Sequence, residues 1–439
     1  MIKITFLGAG STVFVKNVLG DCLLTKEIAP HLEIALYDID PERLEDSENL
    51  IQSLNKTYNQ SLAVIKSYCG VENRKEALRG ADFIINAVQI GGYEPSTVID
   101  FEIPKKYGLR QTIADTVGIG GIFRALRTIP FLRDCAEEIE QVCPNAWLLN
   151  YTNPMAMLSN FMQRYTNVKT VGLCHSVQNC SKHLLKGLDI ESEGTYDLVA
   201  GINHMGWLLD IRDKDGNDLY PLIRERAAAK NASEKHGDMV RYEYIRRFGY
   251  YCTESSEHNA EYNPFFIKQR YPELIDAYNI PLDEYPRRCI KQIEDWAKQR
   301  EELFNGGNIT HERTREYASY IIHAMFTNNP FRLGGNVLNT GLITNLPSMA
   351  TVEVPCMVDS QGVTPTYVGD LPLQLAAMNS SNIYPQLLTV EAAVTGNRET
   401  LYQAAMMEPH TAAELSVDDI VAMCDEMIEA HNKTGFLSF

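Results

Sequence analysis

Through the first half of the chain, short apolar runs alternate with amphipathic stretches. The runs 2–8 (IKITFLG), 32–39 (LEIALYDI), 81–89 (ADFIINAVQ), 146–154 (AWLLNYTNP) and 168–175 (VKTVGLCH) predict strands, and segments such as 41–57 and 122–142 predict helices between them. Strand and helix repeated in this order give a parallel sheet covered by helices on both faces. The expected architecture for residues 1–198 is therefore a Rossmann-like, doubly wound α/β domain. From about residue 200 the texture changes to longer helical segments at 235–248, 283–304 and 312–327, an apolar piece at 350–358 and a final helix near 417–431. Residues 199–439 are expected to form a second, largely helical α+β substrate domain, a cap on the open edge of the sheet. No Ser/Gly-rich linker, low-complexity tract or internal repeat separates the halves, so the boundary near 195–205 marks a change of role and not a flexible hinge.

Charge and length narrow the function class. A chain of 439 residues with 45% apolar content buries a sizeable core. Its formal net charge of -17 repels nucleic acid and anionic membranes over most of the surface. No apolar run approaches the ~18 residues that a membrane span needs, and the N-terminus MIKITFLGAG is too short in apolar residues for a secretory signal and already fits a first strand. A cytoplasmic enzyme of small molecules is the expectation. The ten cysteines, at 22, 69, 135, 143, 174, 180, 252, 289, 356 and 424, include no C-x-x-C pair and fit buried apolar positions, with Cys174 the exception argued below.

The first strand runs into Gly8-Ala9-Gly10-Ser11-Thr12, after which a helix pattern begins. Glycines at such a turn let the backbone approach a pyrophosphate, which the helix N-terminus then binds through free N–H groups and its positive dipole. Val13 stands where a third glycine is usual. At the end of the second strand Asp38, or Asp40 two residues on, supplies a carboxylate for ribose hydroxyls that would repel a 2'-phosphate, favouring NAD over NADP, although it lies farther along than the usual ~20 residues.

Cys174 and His175, in VGLCHSVQNC, fall at a strand end, where the turning backbone can aim both side chains into one cleft. Asn203 and His204 follow another apolar run, in AGINHMGW. Spacing does not connect Cys174 to His204; they would have to meet in three dimensions.

FLGAGSTVFVKNVLGD, DTVGIGGIFRALRTIP, LNYTNPMAM, GLCHS and GINHM, in this order, resemble glycoside hydrolase family four, the NAD- and manganese-dependent glycosidases. The similarity runs from residue 1 to AAMMEPHTA at 404–412. QIGGYEP, CHSVQ and TESSEHNAEY are most similar to the α-galactosidase (melibiase) branch. The resemblance implies oxidation of the sugar at C3 by bound NAD, loss of the C2 proton to a base and elimination of the C1 oxygen, followed by addition of water and return of the hydride. Such chemistry dispenses with the usual pair of carboxylates. It implies Cys174 and His204 as ligands of Mn2+ or another divalent transition metal, with sugar oxygens and water completing a site that is soft for manganese and exposes Cys174 to oxidation. His175 stands where other branches carry the acid that protonates the leaving oxygen. The C2 base corresponds loosely to SSEHNAEYNP and is left between His258, Tyr262 and Glu257. Asn153 matches a substrate-binding asparagine, and Asn150 is a second candidate contact. DTVGIGG, 115–121, is expected as a turn beside the nicotinamide. Where the phospho-sugar branches carry an arginine, Pro95, Ser96 and Thr97 stand, which points to an unphosphorylated α-galactoside of the melibiose kind. The resemblance also implies a homodimer or homotetramer.

Three other readings make different demands. A 2-hydroxy-acid dehydrogenase would begin with the same turn but leaves Cys174, His175 and His204 without a role. A non-catalytic NAD sensor would need no metal. An α-galacturonidase or α-glucosidase of the same family would keep the chemistry and change the pocket.

Overall fold

The computed structural model describes residues 1–304 and 309–439. Its parallel strands β1 (Ile2–Leu7), β2 (Leu32–Asp38), β3 (Val64–Cys69), β4 (Phe83–Asn86), β5 (Trp147–Asn150) and β6 (Lys169–Gly172) lie in the order β3-β2-β1-β4-β5-β6. This is the doubly wound order of dinucleotide-binding folds. Connecting helices are α1 (Thr12–Leu24), α2 (Pro41–Asn59), α3 (Arg74–Leu78), α4 (Val98–Lys106), α5 (Gly118–Val142) and α6 (Met155–Tyr165), with α7 (His175–Gly187) leaving β6. β3 lies outside the predicted strands. Among the described residues it pairs only with β2, and it buries none of its residues fully, so as an edge strand it lacks the apolar run that marks the central ones.

The second half does more than cap the sheet. It adds strands β7 (Tyr196–Ile202), β8 (Met205–Arg212), β9 (Tyr251–Cys252), β10 (Phe331–Leu338), β11 (Thr351–Asp359) and β12 (Gly362–Pro365), which continue the same sheet past β6 as β10-β11-β7-β8-β9, with β12 on β11. This corrects the expectation of a cap set against an open edge; of these strands the apolar pattern marks β11 and the run before Asn203 that forms β7. The seam is narrow: β6 meets β10 through Gly172 and Asn336, and β11 meets β7 through Glu353 and Gly201. At Gly172 an added Cβ would come within 2.6 Å of both Met155 Sδ and Ser159 Oγ, so glycine is what allows β10 and α6 to close on β6 together. Around the second-half strands lie α8 (Tyr220–Ser233), α9 (Met239–Phe248), α10 (Ser256–Glu261) and helices Glu284–Phe304, Tyr317–Thr327, Leu373–Thr395 and Val417–Thr434.

Apolar side chains of the parallel strands sort by alternation onto two faces. Phe6, Ile34, Leu36 and Ile85 pack with Tyr317, Ile321 and Ile322 on one side. Leu7, Ala35, Ile84 and Leu148 pack with Ile122, Phe123, Leu126 and Met427 on the other. Both cores thus draw on both halves of the chain. A buried ion pair reinforces the second. The Arg127 guanidinium on α5 donates to both carboxylate oxygens of Asp100 on α4, at 3.1 and 2.7 Å, and His431 of helix Val417–Thr434 lies 2.9 Å from Asp100 Oδ1. Both partners of the ion pair are almost completely buried.

Removing one partner of a buried pair leaves the other charge without compensation, at a cost of about 3–5 kcal/mol. Asp100→Ala is therefore expected to lower the unfolding free energy by about that amount, read as a fall in the urea midpoint, while a charge removed from an exposed pair such as Lys291–Asp295 changes it by less than about 1 kcal/mol.

Candidate active site

The glycine turn has the shape a pyrophosphate requires. Gly8 has φ +87°, and an added Cβ would stand 2.8 Å from Ala87 O; at Gly10 it would meet Asp38 Oδ2 at 2.9 Å. Ser11 precedes α1 without capping its first turn through its side chain, so the helix N-terminus stays available to an anion. Val13 is half exposed, so the missing third glycine costs no packing. Asp38 holds the turn: Oδ2 accepts from Gly10 N at 2.6 Å and Oδ1 from Ile39 N and Asp40 N. Asp40 is spent elsewhere, with its Oδ1 capping α2 by accepting from Glu42 N and Arg43 N. Of the two ribose candidates, the structure therefore sets Asp38 beside the turn and makes Asp40 a helix cap.

A cavity of about 920 Å³ begins at this turn, with Ser11, Phe14, Ala87 and Gln89 in its wall, and contains Cys174, His175, His204, Asn153, Asp115, Glu254 and His258. Cys174 is the N-cap of α7 and His175 its first residue, so the strand end does aim both into one cleft. His204 arrives from the antiparallel half. Ile202 pairs with Met205, making Asn203-His204 a two-residue hairpin turn, and His204 has φ +64°. Few residues other than glycine adopt this conformation, and here it buries the imidazole. Glu254 (φ +66°) and Ala114 (φ +52°), which precedes Asp115, are held in the same region. Such strain gathers at functional sites.

The Cys174 sulfur, a His204 ring nitrogen and a Glu254 carboxylate oxygen lie within 4.8 Å of one another; Asp115, His204 and His258 form a second such group. His204 Nδ1 is bonded to Tyr262 OH at 2.9 Å, and its Nε2 is 3.3 Å from Glu254 Oε2. Burial opposes a charge on His204, yet the Glu254 carboxylate, Cys174 and Asp115 outweigh it and lift its pKa to about 10. A pocket that holds a proton this strongly is weighted for a cation. Sulfur, imidazole and carboxylate converging there fit a divalent transition metal.

Each remaining expected residue has a definite place. His258 sits on α10 with Nδ1 2.7 Å from Ser255 Oγ and Nε2 3.9 Å from Asp115 Oδ1. Burial lowers its pKa, with His204 adding to the effect against Glu254 and Asp115, so the ring is neutral. Tyr262 is not a wall residue of the cavity: it lies behind His204, and burial pushes its pKa well above the usual value. Glu257 also faces away, its carboxylate paired with Arg288 and its carbonyl accepting from Thr112 Oγ1. Of the three base candidates, only His258 faces the cavity. His175 Nε2 is 2.6 Å from Glu316 Oε2; burial opposes its charge, but this carboxylate prevails and raises the pKa. Asn153 donates to Asp115 Oδ2 at 3.2 Å. Asn150 corrects the expectation of a second sugar contact: it is buried, accepts from Asn86 Nδ2 and donates to Thr152 O, and it does not line the cavity. Pro95, Ser96 and Thr97 do not line it either, whereas Arg124 of α5 does.

The expected turn at 115–121 is half turn and half helix, since α5 already starts at Gly118. Gly120 and Gly121 would bring a Cβ to 2.6 Å from Ala114 O and 2.7 Å from Thr116 C, so these glycines let the loop fold back on the helix and press Asp115 inward. Glu261 secures the other side by accepting from the N–H groups of Thr112, Ile113 and Ala114. Sequence reasoning missed Asp115, Glu254 and Glu316. The first two lie within or next to the motifs DTVGIGG and SSEHNAEY and could have been found there. Glu316 carries no local signal.

The model of the family 4 glycosyl hydrolases matches residues 3–190, and the model of that family's C-terminal domain matches residues 199–411. An α-galactosidase of Bacillus subtilis is 63% identical over 431 residues, 98% of each chain. The solved structure of a Bacillus subtilis protein provisionally named a glucosidase superposes with a TM-score of 0.85 at 25% identity, over 97% of this chain and 99% of that one. A 6-phospho-α-glucosidase from gut microorganisms, solved with NAD and Mn2+, has the same fold, with a TM-score of 0.76 at 21% identity over 98% of each chain.

The bond from Tyr262 to the far nitrogen of His204 fixes the imidazole as outer partners of metal-bound histidines do. Tyr262→Phe is expected to weaken Mn2+ binding about 10- to 100-fold, measured on the substrate-free protein by the loss of free-ion signal in electron paramagnetic resonance, with little change in the folded circular-dichroism spectrum.

Proposed function

The chain belongs to family 4 of the glycosyl hydrolases, and on that premise we propose that it is an α-galactosidase acting on unphosphorylated, melibiose-like α-galactosides, dependent on NAD and on Mn2+ or another divalent transition metal. The observation that carries the chemistry is the convergence of Cys174, His204, His175 and His258 in one cavity that begins at the dinucleotide turn. The choice of sugar rests on the 63% identity to an α-galactosidase. It favours that substrate over a galacturonide or a glucoside.

When bound, NAD supplies reversible removal of hydride from C3 of the sugar and the divalent ion supplies Lewis-acid polarisation, which together make the C2 proton acidic. Gly8, Gly10, Ser11 and Thr12 seat the pyrophosphate, and Asp38 takes the ribose hydroxyls. Cys174 and His204 hold the ion, with Glu254 beside them. His258 takes the proton from C2: its Nδ1 is 2.7 Å from Ser255 Oγ, and in the tautomer that donates Nδ1–H to that hydroxyl the neutral ring keeps its lone pair on Nε2. His175 gives its proton to the oxygen leaving C1 and later recovers one from water. Asn153, steadied by Asp115, orients the sugar. We place the enzyme in the cytoplasm as a homodimer or homotetramer. Its cysteines are free thiols, and among the described residues no helix is long and apolar enough to cross a membrane.

Release of p-nitrophenol from its α-galactoside by the reduced protein is expected only with NAD and Mn2+ both present, and the α-glucoside and α-galacturonide are expected to be poor substrates. Hydrolysis that survives removal of NAD would sink the mechanism.

The pH dependence follows from His175. A general acid must be protonated, so activity falls as pH rises through its pKa, and Glu316 raises that pKa. In Glu316→Gln burial is opposed only by the weaker pull of Glu254, and the alkaline limb of the kcat profile moves to lower pH while the acid limb stays. An unmoved alkaline limb would remove His175 from the acid role.

A further inference from the structure

The cavity does not end at the cluster that performs the chemistry. His175, Asn179, His183 and Gly187, four residues apart, all line it, so it follows one face of α7 for about 18 Å at 1.5 Å per residue. The facing wall is Lys230 at the end of α8, His236 and Asp238 in the turn after it, and Tyr242 of α9. The dinucleotide end lies the other way, with the Phe14 ring 6.5 Å from that of His175. A single sugar ring at the cluster leaves most of this trench empty.

Three polar groups along the trench have hydrogen-bonding capacity to spare. Tyr242 is 2% exposed as a residue, its hydroxyl opens on the cavity, and among the described residues that hydroxyl has no protein partner. Gly187 keeps that hydroxyl reachable, because a Cβ there would stand 2.9 Å from it. His183 lies on the exposed rim of the trench and has no protein partner among the described residues. Partial burial, with Arg241 adding to it, lowers its pKa, which leaves a neutral ring able to donate and accept. Lys230 gives one proton to Gly187 O at 2.8 Å and has Glu234 Oε1 3.8 Å away, which still leaves a donor to spare. By contrast His236 is fully engaged, its Nε2 with Asn231 Oδ1 and its Nδ1 with Asp238 N, and it serves as a fixed wall.

We propose that this trench seats the leaving group of the substrate, and that the leaving group is itself a neutral sugar of one or two rings, held by Tyr242, His183 and Lys230. The proposal rests on the α-galactosidase reading and deepens it by naming the residues with which the enzyme recognises the far side of the bond it breaks. Separate donors and acceptors spread along a trench suit hydroxyl groups. A carboxylate or phosphate would call for several free cations at one point; among the described residues of the trench Arg241 is taken up by Asp238 and Lys230 has Glu234 beside it.

The test compares raffinose with p-nitrophenyl α-galactoside in the wild type, Tyr242→Phe and His183→Ala, with NAD and Mn2+ present. Loss of one or two hydrogen bonds to the leaving sugar is expected to lower the ratio of kcat/KM for raffinose to that for the aryl galactoside about tenfold in each variant. A ratio that stays constant, whether both activities fall together or neither changes, overturns the proposal. If the wild type turns over neither galactoside, the α-galactosidase reading has failed. Calorimetric titration with sucrose then decides the trench separately: binding that weakens in Tyr242→Phe and in His183→Ala supports it, and absence of binding to the wild type overturns it.

Discussion

Gly172 is the narrowest point of the molecule and the one on which the site depends. Here the parallel sheet ends and the antiparallel strands take over through one residue pair, with the side chain of Asn336 donating to Gly172 O and to Glu353 Oε1. Two residues beyond it comes Cys174. On the far side of the seam β10 and β11 carry β7, whose turn into β8 presents His204. The thiol belongs to the dinucleotide half and the imidazole to the other, so their distance is set by how closely β10 approaches β6. A side chain at position 172 would have to displace Met155 or Ser159. In close-packed surroundings that displacement passes directly to the neighbouring strands.

The second organising feature is the sign of the charge. Glu254, Asp115 and Cys174 surround the buried His204, where electrostatic effects are much larger than at the surface. The fold carries the cost of grouping these acids because His204 and Arg124 face them, and because Glu261 clamps the loop bearing Asp115 through three backbone N–H groups. The left-handed conformations of His204, Glu254 and Ala114 belong to the same account. They direct polar groups inward at turns that would otherwise face solvent.

Much of this was legible in the sequence, for identifiable reasons. The central strands announce themselves because burial on both faces demands continuous apolar runs, and the glycine turn because only glycine tolerates its geometry. Cys174 and His204 could be paired only through resemblance, since strands β10 and β11 that separate β6 from β7 in space come from far along the chain. The edge strand β3 and strands β8 and β10 escaped the apolar pattern, and with them the continuity of the sheet. Asp40 and Asn150 misled because a residue type that suits a ligand also suits a cap or a buried network; only their hydrogen bonds distinguish the two. Tyr262 stood in the right motif, but where α10 ends sets its ring against the back of His204 and leaves the cavity to His258.

That short helix has a consequence of its own. Glu254, Ser255, His258, Glu261 and Tyr262 are carried on one brief stretch around α10, outside the strands that build the sheet. The proposed C2 base is thus carried on a replaceable cassette, while the thiol, the proton donor His175, the imidazole of His204 and the dinucleotide turn are anchored in the framework. A lineage can exchange one base for another by editing this cassette alone, keeping the fold and the oxidation step intact. The architecture separates what must be inherited from what is free to diverge.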